Sequence, residues 1–385
     1  MIVESSDAQL NPIVVLLRSF FSRQQKGCAT VVGSSKYEIR PVQCRDLREV
    51  AELLCHLTGD DASRNYRYLT WKYLENPFVE RPLGIVAVAG PVIAGFRGYL
   101  ATPWHIPDSG YQTLVMTPGD TCVHPEHRRR GLSVEMGRLA MRELHPDHHI
   151  FLNMTANSSS VPGYLRMGFA PLHDKSRLIL ISLSRLARDL PRGRGSPLEN
   201  FEFGEFGDIL VSPDPLPEEL GRVAMDPASS EARLTPLSDD RFFRWYFRAP
   251  GARHVFYYAR EHGRVTGYVV LRVAAPGRPA SIIDYSRRSF DAVAHILRFL
   301  ARSRPFGLIW IYSFTPDPEL RRLLHALGFR GNGPIERMRR RMNRVWPLLV
   351  RPIKEQPEAE DWYVEGLDIR AISSWQIPEI RSDTI

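Results

Sequence analysis

Residues 123–133 have the composition of an anion-binding turn. They read VHPEHRRRGLS, with a strand-like apolar run before them and apolar residues at helical spacing after them. The first N–H groups of a helix have no intrahelical partner and carry a partial positive charge, and Gly131 lets that backbone approach an anion closely. Arg128, Arg129 and Arg130 add full charges beside it. The sequence therefore predicts a phosphate-binding turn between a strand and a helix.

A second motif follows further along the chain. It has the form Asn157-x-x-Ser160-x-x-x-Tyr164-x-x-x-Gly168-Phe169 and comes after another strand-like run. Taken singly, an asparagine there is an ordinary helix N-cap, and a tyrosine on a helix commonly packs against a core. A run of three arginines is commonly a solvated face. The occurrence of both motifs in this order favours one shared binding site over unrelated structural features.

The two motifs together resemble those of the GCN5-related N-acetyltransferase (GNAT) superfamily. Its loop usually reads Arg/Gln-x-x-Gly-x-Gly/Ala and its next motif Asn-x-x-Ala-x-x-x-Tyr-x-x-x-Gly-Phe, and here Ser133 stands at the last loop position. The resemblance implies an α/β fold of the layered α+β kind, with a mixed, mostly antiparallel sheet flanked by helices. It also implies a gap between the fourth and fifth strands, at about residues 114–123 and 149–154, that binds the acyl donor.

The resemblance implies a function as well. The expected reaction is N-acyl transfer, by default acetyl transfer, from acetyl-CoA or another acyl-CoA to a primary amine, with no metal. Tyr164 would protonate the departing thiolate, because the ordinary pKa of a phenol lies above that of a thiol. Asp120, with His124 second, is the candidate base for the acceptor amine. Residues 117–120 also have the composition of a turn, so Asp120 has a purely structural interpretation too.

The acyl-CoA contacts that the resemblance implies fall in both motifs. The first motif supplies the residues at the gap and the phosphate loop, and the second supplies the start of the following helix. The expected acyl-CoA-binding residues are Cys122, Val123, His124, Arg128, Arg129, Arg130, Gly131, Leu132, Ser133, Asn157 and Ser160.

An internal repeat indicates the architecture of the whole chain. Residues 68–73 (YLTWKY) are echoed by residues 242–247 (FFRWYF), and each run is followed by a proline and by two predicted strands. Trp71 and Tyr73 in this repeat are interpreted either as part of an acceptor pocket or as core packing. The pair Gly328-Phe329 also repeats Gly168-Phe169. The chain is therefore predicted to contain two tandem GNAT-like domains.

The second copy is predicted to be degenerate. Alignment of the repeat places Asp317 at the position of Asn157 and Leu324 at that of Tyr164, and residues 285–289 contain no glycine. This copy is therefore expected to have lost acyl-CoA binding and to close the acceptor cleft of the first copy. The alternative is an independent domain with a ligand of its own.

Length and composition set the predicted domain boundaries. A chain of 385 residues exceeds one ordinary domain. The predicted segments are an N-terminal extension at 1–36, the catalytic domain at 37–186, a Pro, Gly and Ser-rich linker at 187–200, the degenerate domain at 201–335, and a basic segment with a C-terminal tail at 336–385.

Two segments outside the predicted domains have alternative interpretations. Residues 12–26 could form an amphipathic helix on a membrane surface or pack as a terminal segment. Residues 337–344 could bind nucleic acid or anionic lipid, or form a solvated helix.

Composition limits the function classes. The chain is 43% hydrophobic and 24% charged, which is typical of a globular protein, and its four cysteines show no Cys-x-x-Cys spacing. We therefore expect a soluble, cytoplasmic protein, monomeric or homodimeric, without disulfides or zinc. The net charge of +8 suits CoA, a phosphorylated acceptor or nucleic acid alike. The alternatives are a CoA-binding scaffold without turnover, a relative of the aminoacyl-tRNA-dependent tandem transferases, and a nucleic-acid-binding module.

Overall fold

The structure is a computed structural model of the chain. It describes residues 36–107, 109–144, 150–157, 159–174, 176–182, 198, 201–225, 233–273, 280–287, 289–314, 317–331 and 347–382. Three sequence predictions lie outside the described residues: the amphipathic segment 12–26, the basic segment 337–344 and, apart from Leu198, the linker residues 187–200.

Eight α-helices form in the described part of the chain. They are α1 Leu47–Thr58, α2 Ala62–Leu69, α3 Leu132–Glu143, α4 Val161–Arg166, α5 Pro217–Ala224, α6 Asp240–Tyr246, α7 Phe290–Ser303 and α8 Pro318–Ala326. A π-helical turn, Thr70–Leu74, continues α2. Three helices begin at an aspartate whose side chain accepts a backbone N–H of the first turn, namely Asp61, Asp239 and Asp317. This capping explains why these helices begin where they do.

The strands form two eight-stranded sheets and one short hairpin. The first sheet contains β1 Glu38–Pro41, β2 Gly84–Ala89, β3 Val92–His105, β4 Gln112–Val123, β5 Ile150–Asn153, β6 Ala170–Asp174, β10 Thr235–Pro236 and β16 Pro347–Pro352. The second contains β7 Ser176–Ile181, β8 Gly204–Phe206, β9 Ile209–Ser212, β11 His254–Glu261, β12 Arg264–Val273, β13 Ala280–Tyr285, β14 Leu308–Ser313 and β15 Arg330–Gly331. The hairpin pairs β17 Tyr363–Val364 with β18 Leu367–Asp368.

The two sheets repeat one strand order. The first runs β1-β2-β3-β4-β5-β16-β6, with β10 paired to β3, and the second runs β8-β9-β11-β12-β13-β14-β7-β15. Within the described strands, β4 with β5 and β13 with β14 pair in parallel, and all other pairs are antiparallel. The prediction of two mixed, mostly antiparallel sheets flanked by helices is thus confirmed.

The two halves of the chain exchange one strand each. Strand β7, from the first half, lies between β14 and β15 of the second sheet, and β16, from the C-terminal segment, lies between β5 and β6 of the first. The sheets therefore do not follow the predicted boundaries at residues 186 and 336: β7 precedes the first boundary but pairs in the second sheet, and β16 follows the second boundary but pairs in the first sheet. The sequence pattern could not show this, because an apolar run specifies a strand and not the sheet in which it pairs.

Each face of the first sheet is covered by a pair of helices. Helices α3 and α4 pack on one face, against a core that includes Met116, Met136 and Phe151. Helices α1 and α2 pack on the other face, against Phe96 and Cys122. Residues at alternate positions of β3 and β4 consequently point into different helix layers.

The repeated tryptophans form the central contact between the two halves. The indole N–H of Trp71 donates to the Trp245 carbonyl at 2.8 Å, and the Trp245 indole donates to the Trp71 carbonyl at 2.9 Å. Their rings stack with centroids 5.1 Å apart and planes 10° apart. Both side chains are buried. The equivalence predicted from residues 68–73 and 242–247 is therefore a reciprocal contact in space.

The ends of α4 and α8 repeat the same geometry. Phe169 N–H donates to the Tyr164 carbonyl at 3.1 Å, and Phe329 N–H donates to the Leu324 carbonyl at 2.9 Å. Each turn passes through a left-handed glycine, with φ +81° at Gly168 and φ +92° at Gly328. Glycine is required at both positions by this conformation.

No helix in the described ranges is long and apolar enough to span a membrane.

Substitution of the tryptophan pair tests the contact between the halves. Trp71→Phe and Trp245→Phe each remove one indole donor and leave a buried carbonyl without its partner, so each should cost about 1–3 kcal/mol of unfolding free energy. The double variant should show a coupling energy of about 0.5 kcal/mol or more, because the residues are in direct contact. Equilibrium denaturation measures both quantities. Trp362→Phe, at a partly exposed position, is the control, and purely additive effects of the pair would contradict the prediction.

Candidate functional site

Strand β4 contains an irregularity at the edge of the predicted gap. Asp120 and Thr121 together oppose the single residue Arg97 of β3, which makes a β-bulge. Asp120 has φ +48°, the left-handed conformation that few non-glycine residues adopt. The turn composition of residues 117–120 thus produces a bulge inside a continuous strand. A turn at this position, the structural alternative for Asp120, does not form.

The gap between β4 and β5 is present. These strands pair only at Val115 with Ile150 and Met116 with Phe151 in the described region. Beyond Met116, β4 pairs on its other side with β3 as far as Val123. A bulge bends its strand and increases the local twist, which accounts for the divergence of β4 from β5.

The predicted phosphate loop lies at the beginning of α3. Gly131 is the N-terminal flanking residue of the helix and has φ +78°. A Cβ at this position would approach only Glu135 Oε1, at 3.9 Å, so conformation rather than packing requires glycine. The backbone N–H groups of Gly131, Leu132 and Ser133 have no acceptor in the part of the chain that the structure describes. Amides exposed in this way at a helix N-terminus are suited to binding an anion.

The three arginines of the loop differ in their contacts. Arg128 Nε donates to the Val123 carbonyl at 3.0 Å, and Arg130 donates to the Tyr37 hydroxyl at 2.8 Å and to a backbone carbonyl. Arg129 has φ +62° and is exposed. All three are exposed residues beside the free amides, so their charges add to the helix dipole at this point.

The residues at the end of β4 point to both faces of the sheet. Val123 packs on the core beside α3. The thiol of Cys122 lies on the opposite face, where it donates to the Leu53 carbonyl at 3.5 Å, and burial raises its pKa. His124 is on the Cys122 side, with its ring 4.9 Å from that of His56. The Cys122 side chain therefore lies on the face of the sheet opposite to α3.

Asn157 and Ser160 form a closed turn before α4. The Asn157 side-chain oxygen accepts the N–H groups of Ser159 and Ser160 at 3.0 and 3.1 Å, and the Ser160 hydroxyl accepts the Asn157 N–H at 3.0 Å. These bonds close the turn that precedes the helix. This turn places both residues at the end of the gap formed by β5.

Tyr164 lies at the sheet side of α4. Its side chain is buried, and its ring packs edge-on against Phe169 with centroids 4.9 Å apart. The guanidinium carbon of Arg97 lies 4.7 Å from the centre of the Tyr164 ring. The motif tyrosine therefore has a cation against its face, an arrangement that is favourable through the ring quadrupole.

Arg97 connects Tyr164 to the phosphate-loop helix. It is 2% exposed, and its Nη1 donates to the Ser133 carbonyl at 3.1 Å and to the Ser133 hydroxyl at 3.2 Å. Desolvation lowers the Arg97 pKa, but Tyr99 and Tyr164 outweigh it and raise the pKa overall, so the side chain stays charged. Ser133, the departure from the usual loop pattern, thus provides the hydroxyl that Arg97 binds.

Asp120 is part of a buried network with α2 and the π-helical turn. Its Oδ2 accepts Lys72 Nζ at 2.7 Å and the Tyr73 hydroxyl at 2.7 Å, and its Oδ1 accepts the Tyr68 hydroxyl at 3.4 Å. Lys72 also donates to the Tyr68 hydroxyl at 2.9 Å and has a side chain only 1% exposed. The π-helical turn buries Trp71, Lys72 and Tyr73 in succession.

Gly98 allows this network to reach β4. A Cβ at Gly98 would overlap the Tyr73 hydroxyl, so only glycine permits the approach. The aromatic motif of residues 68–73 therefore has two uses: Trp71 contacts the second half, while Tyr68, Lys72 and Tyr73 hold Asp120.

Three potential metal ligands lie close together in the 3₁₀ turn before the arginines. The ligand atoms of His124, Glu126 and His127 are within 4.8 Å of one another. The His127 Nδ1 already shares a hydrogen bond of 2.9 Å with the Tyr37 hydroxyl, to which Arg130 also donates. Partial desolvation and the charge of Arg130 lower the His127 pKa. The adjacent guanidinium opposes a divalent cation, so we assign no metal to this cluster.

The segment before α7 in the second half corresponds in sequence to the predicted phosphate loop of the first half. Arg287 donates to Asp284 at 3.2 Å and covers the Tyr285 ring at 4.5 Å. Ser289 precedes α7 in place of a left-handed glycine, and Leu324 occupies the position equivalent to Tyr164.

Two site residues, Arg97 and Lys72, were not predicted from sequence. Arg97 is the charged residue within β3, an otherwise apolar strand buried over nearly its whole length. Lys72 stands within a cluster of aromatic residues that reads as core. A lone cation inside an apolar run is the signal that could have identified both, since a charged side chain in such a run must find a partner or a ligand.

Removal of the Asp120 charge tests the buried pair. Asp120→Asn leaves Lys72 buried without its anion and should cost about 3–5 kcal/mol of unfolding free energy. The double variant Asp120→Asn/Lys72→Met should recover most of that loss, because no unpaired charge is left. Equilibrium denaturation of the two variants provides the comparison. A double variant no more stable than the single one would show that Lys72 and Asp120 are not coupled.

Comparison with known proteins identifies the family of one part of the chain. Residues 38–172 match the acetyltransferase (GNAT) domain family model. No curated protein sequence matches the chain significantly.

Three solved structures share the fold over most of the chain. A conserved protein of unknown function from Enterococcus faecalis, described as a probable N-acyltransferase, is 11% identical with a TM-score of 0.53 over 84% of this chain and 74% of its own. A GCN5-related N-acetyltransferase from Anabaena variabilis is 13% identical with a TM-score of 0.55 over 83% and 73%. Another from Kribbella flavida is 12% identical with a TM-score of 0.50 over 83% and 74%. At these identities the likeness concerns the fold alone.

The matched residues include β1 to β5, the phosphate loop and the Tyr164 motif, and both sheets repeat one strand order. The chain therefore carries a GNAT acetyltransferase domain at residues 38–172, within two eight-stranded sheets that fit a tandem GNAT-like arrangement.

Proposed function

We propose that the protein is an acyl-CoA-dependent N-acyltransferase, with acetyl-CoA as the default donor and a primary amine of a small molecule as the acceptor. The observation that carries the proposal is the set of amides at Gly131, Leu132 and Ser133, which have no acceptor among the described residues and lie beside three arginines and next to the β4–β5 gap. Amides and arginines of this kind suit a pyrophosphate. Tyr164 lies on the helix that follows β5.

The residues present fit an acyl-CoA. The left-handed Gly131 leaves open space above the loop, since a Cβ there would meet a single side-chain atom at 3.9 Å. The free amides of α3 would hold the pyrophosphate, Arg128 to Arg130 would add charge, and Asn157 and Ser160 would border the pantetheine. The donor supplies an activated thioester carbonyl to this site.

The chemistry requires one proton donor and one proton acceptor. The amine nitrogen forms a bond to the carbonyl carbon, the carbon–sulfur bond breaks, and its electron pair stays on sulfur. Tyr164 gives its phenolic proton to that sulfur, and a base takes the proton that the nitrogen loses. Group transfer of this kind is a direct attack and needs no covalent enzyme intermediate.

Asp120 is our candidate base. Its Oδ1 carries one long hydrogen bond, from the Tyr68 hydroxyl at 3.4 Å, while its Oδ2 is held by Lys72 and Tyr73. Oδ1 is thus the atom available to accept a proton, either from the amine or through Tyr68. His124, on the same face of the sheet, is the second candidate.

The second half is proposed to support the first rather than to catalyse. Residues 285–289, before α7, contain no glycine, and Leu324 has no proton to donate. The stacked Trp71–Trp245 contact joins α6 to the π-helical turn that holds Asp120, so the second half fixes one wall of the acceptor side. A cytoplasmic location suits the free thiols of Cys44, Cys55 and Cys122.

Acetyl-CoA binding tests the proposal directly. We expect micromolar binding to the native protein by isothermal titration calorimetry and none to Gly131→Asp, because a carboxylate there would meet the pyrophosphate with like charge. Gly263→Asp is the matched control, since Gly263 has φ +77° and open space around it but lies in the second half. Equal loss of binding in both variants, or no binding to the native protein, would overturn the proposal.

The rate of thiol release and its pH dependence test the acid and the base. Tyr164→Phe should lower kcat by about 10²–10⁴-fold and abolish the alkaline limb, because no phenol is left to lose its proton. Asp120→Asn/Lys72→Met should also lower kcat, because the base is removed. The dissociation constant of acetyl-CoA should change little in Tyr164→Phe, because the phenol acts in the chemical step. Full kcat in either variant would refute the respective assignment.

A further inference from the structure

Arg97 is a buried cation without a counter-ion. Within the described part of the chain, no carboxylate acts on its guanidinium, and its Nε has no hydrogen-bond partner. The groups around it are the Ser133 carbonyl and hydroxyl, the Tyr99 hydroxyl, to which it is hydrogen-bonded, and the rings of Tyr99 and Tyr164. The first half contains other buried or half-buried cations with different surroundings. Lys72 and Arg40 each have an aspartate partner, at 2.7 Å in both cases.

Such an arrangement is unfavourable for folding alone. Removing a guanidinium from water costs several kcal/mol, which neutral oxygens and ring faces repay only in part. A methionine or leucine would fill this apolar space between α3, α4 and β3 at lower cost. A negative group that is present only during the reaction would offset this cost.

The position of Arg97 identifies that negative group. The side chain extends from the point where β4 bulges away, passes under the first turn of α3 and ends against the face of Tyr164. It therefore lies between the loop that would hold the pyrophosphate and the phenol that would act as the acid. A Cβ at Gly137 would be 3.6 Å from the guanidinium carbon of Arg97, so α3 packs directly against this guanidinium.

We propose that Arg97 stabilises the negative charge that passes from the departing sulfur to the oxygen of Tyr164, and that it positions Tyr164 for this step. The inference rests on the proposed acyltransferase function. When the carbon–sulfur bond breaks, its electron pair stays on sulfur, the Tyr164 proton moves to sulfur and the phenolate faces the Arg97 guanidinium. The phenolate then regains, through the base and water, the proton released by the attacking nitrogen. Arg97 keeps its own proton throughout.

The test compares Arg97→Met and Arg97→Lys with the native protein. Arg97→Met should lower kcat about 100-fold, the effect expected for a preorganised group that faces developing charge. The dissociation constant of acetyl-CoA by calorimetry should stay within about twofold. The alkaline limb of the kcat profile should move to higher pH, because a nearby positive charge favours the phenolate. The kcat of Arg97→Lys should be about tenfold higher than that of Arg97→Met, since lysine restores the charge but not the planar contact with the ring.

The melting temperature separates this role from a structural one. Arg97→Met should melt at or above the native temperature, because an unpaired buried charge is removed. Arg40→Met is the matched control: it leaves Asp46 without its partner and should melt lower, yet retain kcat. Any one of three results would overturn the inference. The first is a native kcat in Arg97→Met, and the second is a weaker acetyl-CoA affinity with unchanged kcat. The third is a lower melting temperature of Arg97→Met with no recovery of kcat in Arg97→Lys. Failure of the native protein to bind acetyl-CoA or release thiol would instead refute the function.

Discussion

The left-handed conformation of Asp120 is the constraint on which the site depends. It makes a bulge in β4 opposite Arg97, and β4 separates from β5 next to it. A non-glycine residue holds such a conformation only when its surroundings determine it. Here the surroundings are Lys72, Tyr68 and Tyr73, whose three polar groups all bind the Asp120 carboxylate. The opening for the donor and the network that restrains the bulge are therefore one structural unit.

The second half takes part in this unit through packing rather than through chemistry. Lys72 and Tyr73 lie on the same π-helical turn as Trp71, and Trp71 is fixed by two reciprocal hydrogen bonds to Trp245. Turns of this kind occur in proteins mainly where function requires an unusual placement of side chains. A chain with only the first sheet would leave Trp71 exposed and its turn unsupported. This gives a physical reason for a second copy that has Leu324 where the first has Tyr164.

Sequence reasoning predicted the elements that depend on local pattern. The loop at residues 123–133, the gap strands and the repeat follow from motif spacing and hydrophobic periodicity, and the structure and the GNAT family match agree with the fold. The direct contact between Trp71 and Trp245 was not predicted. It could not predict the exchange of β7 and β16, because pairing between distant strands has no local signal. It took residues 117–120 for a possible turn, since the same residue types favour turns and bulges. The partners of Arg97 and Asp120 could not be predicted either, because they come from distant parts of the sequence. The roles of the site residues stay predictions.

The exchange of β7 and β16 also affects how the chain can fold during synthesis. In the first sheet, β16 lies between β5 and β6. This strand leaves the ribosome only after almost the whole second half has been synthesised. Until then β5 and β6 have unpaired edges, which are prone to pair with other chains. The first sheet must consequently close late. The nascent first half would therefore be prone to aggregation. Its sheet would close slowly, because pairing between strands distant in sequence is slow.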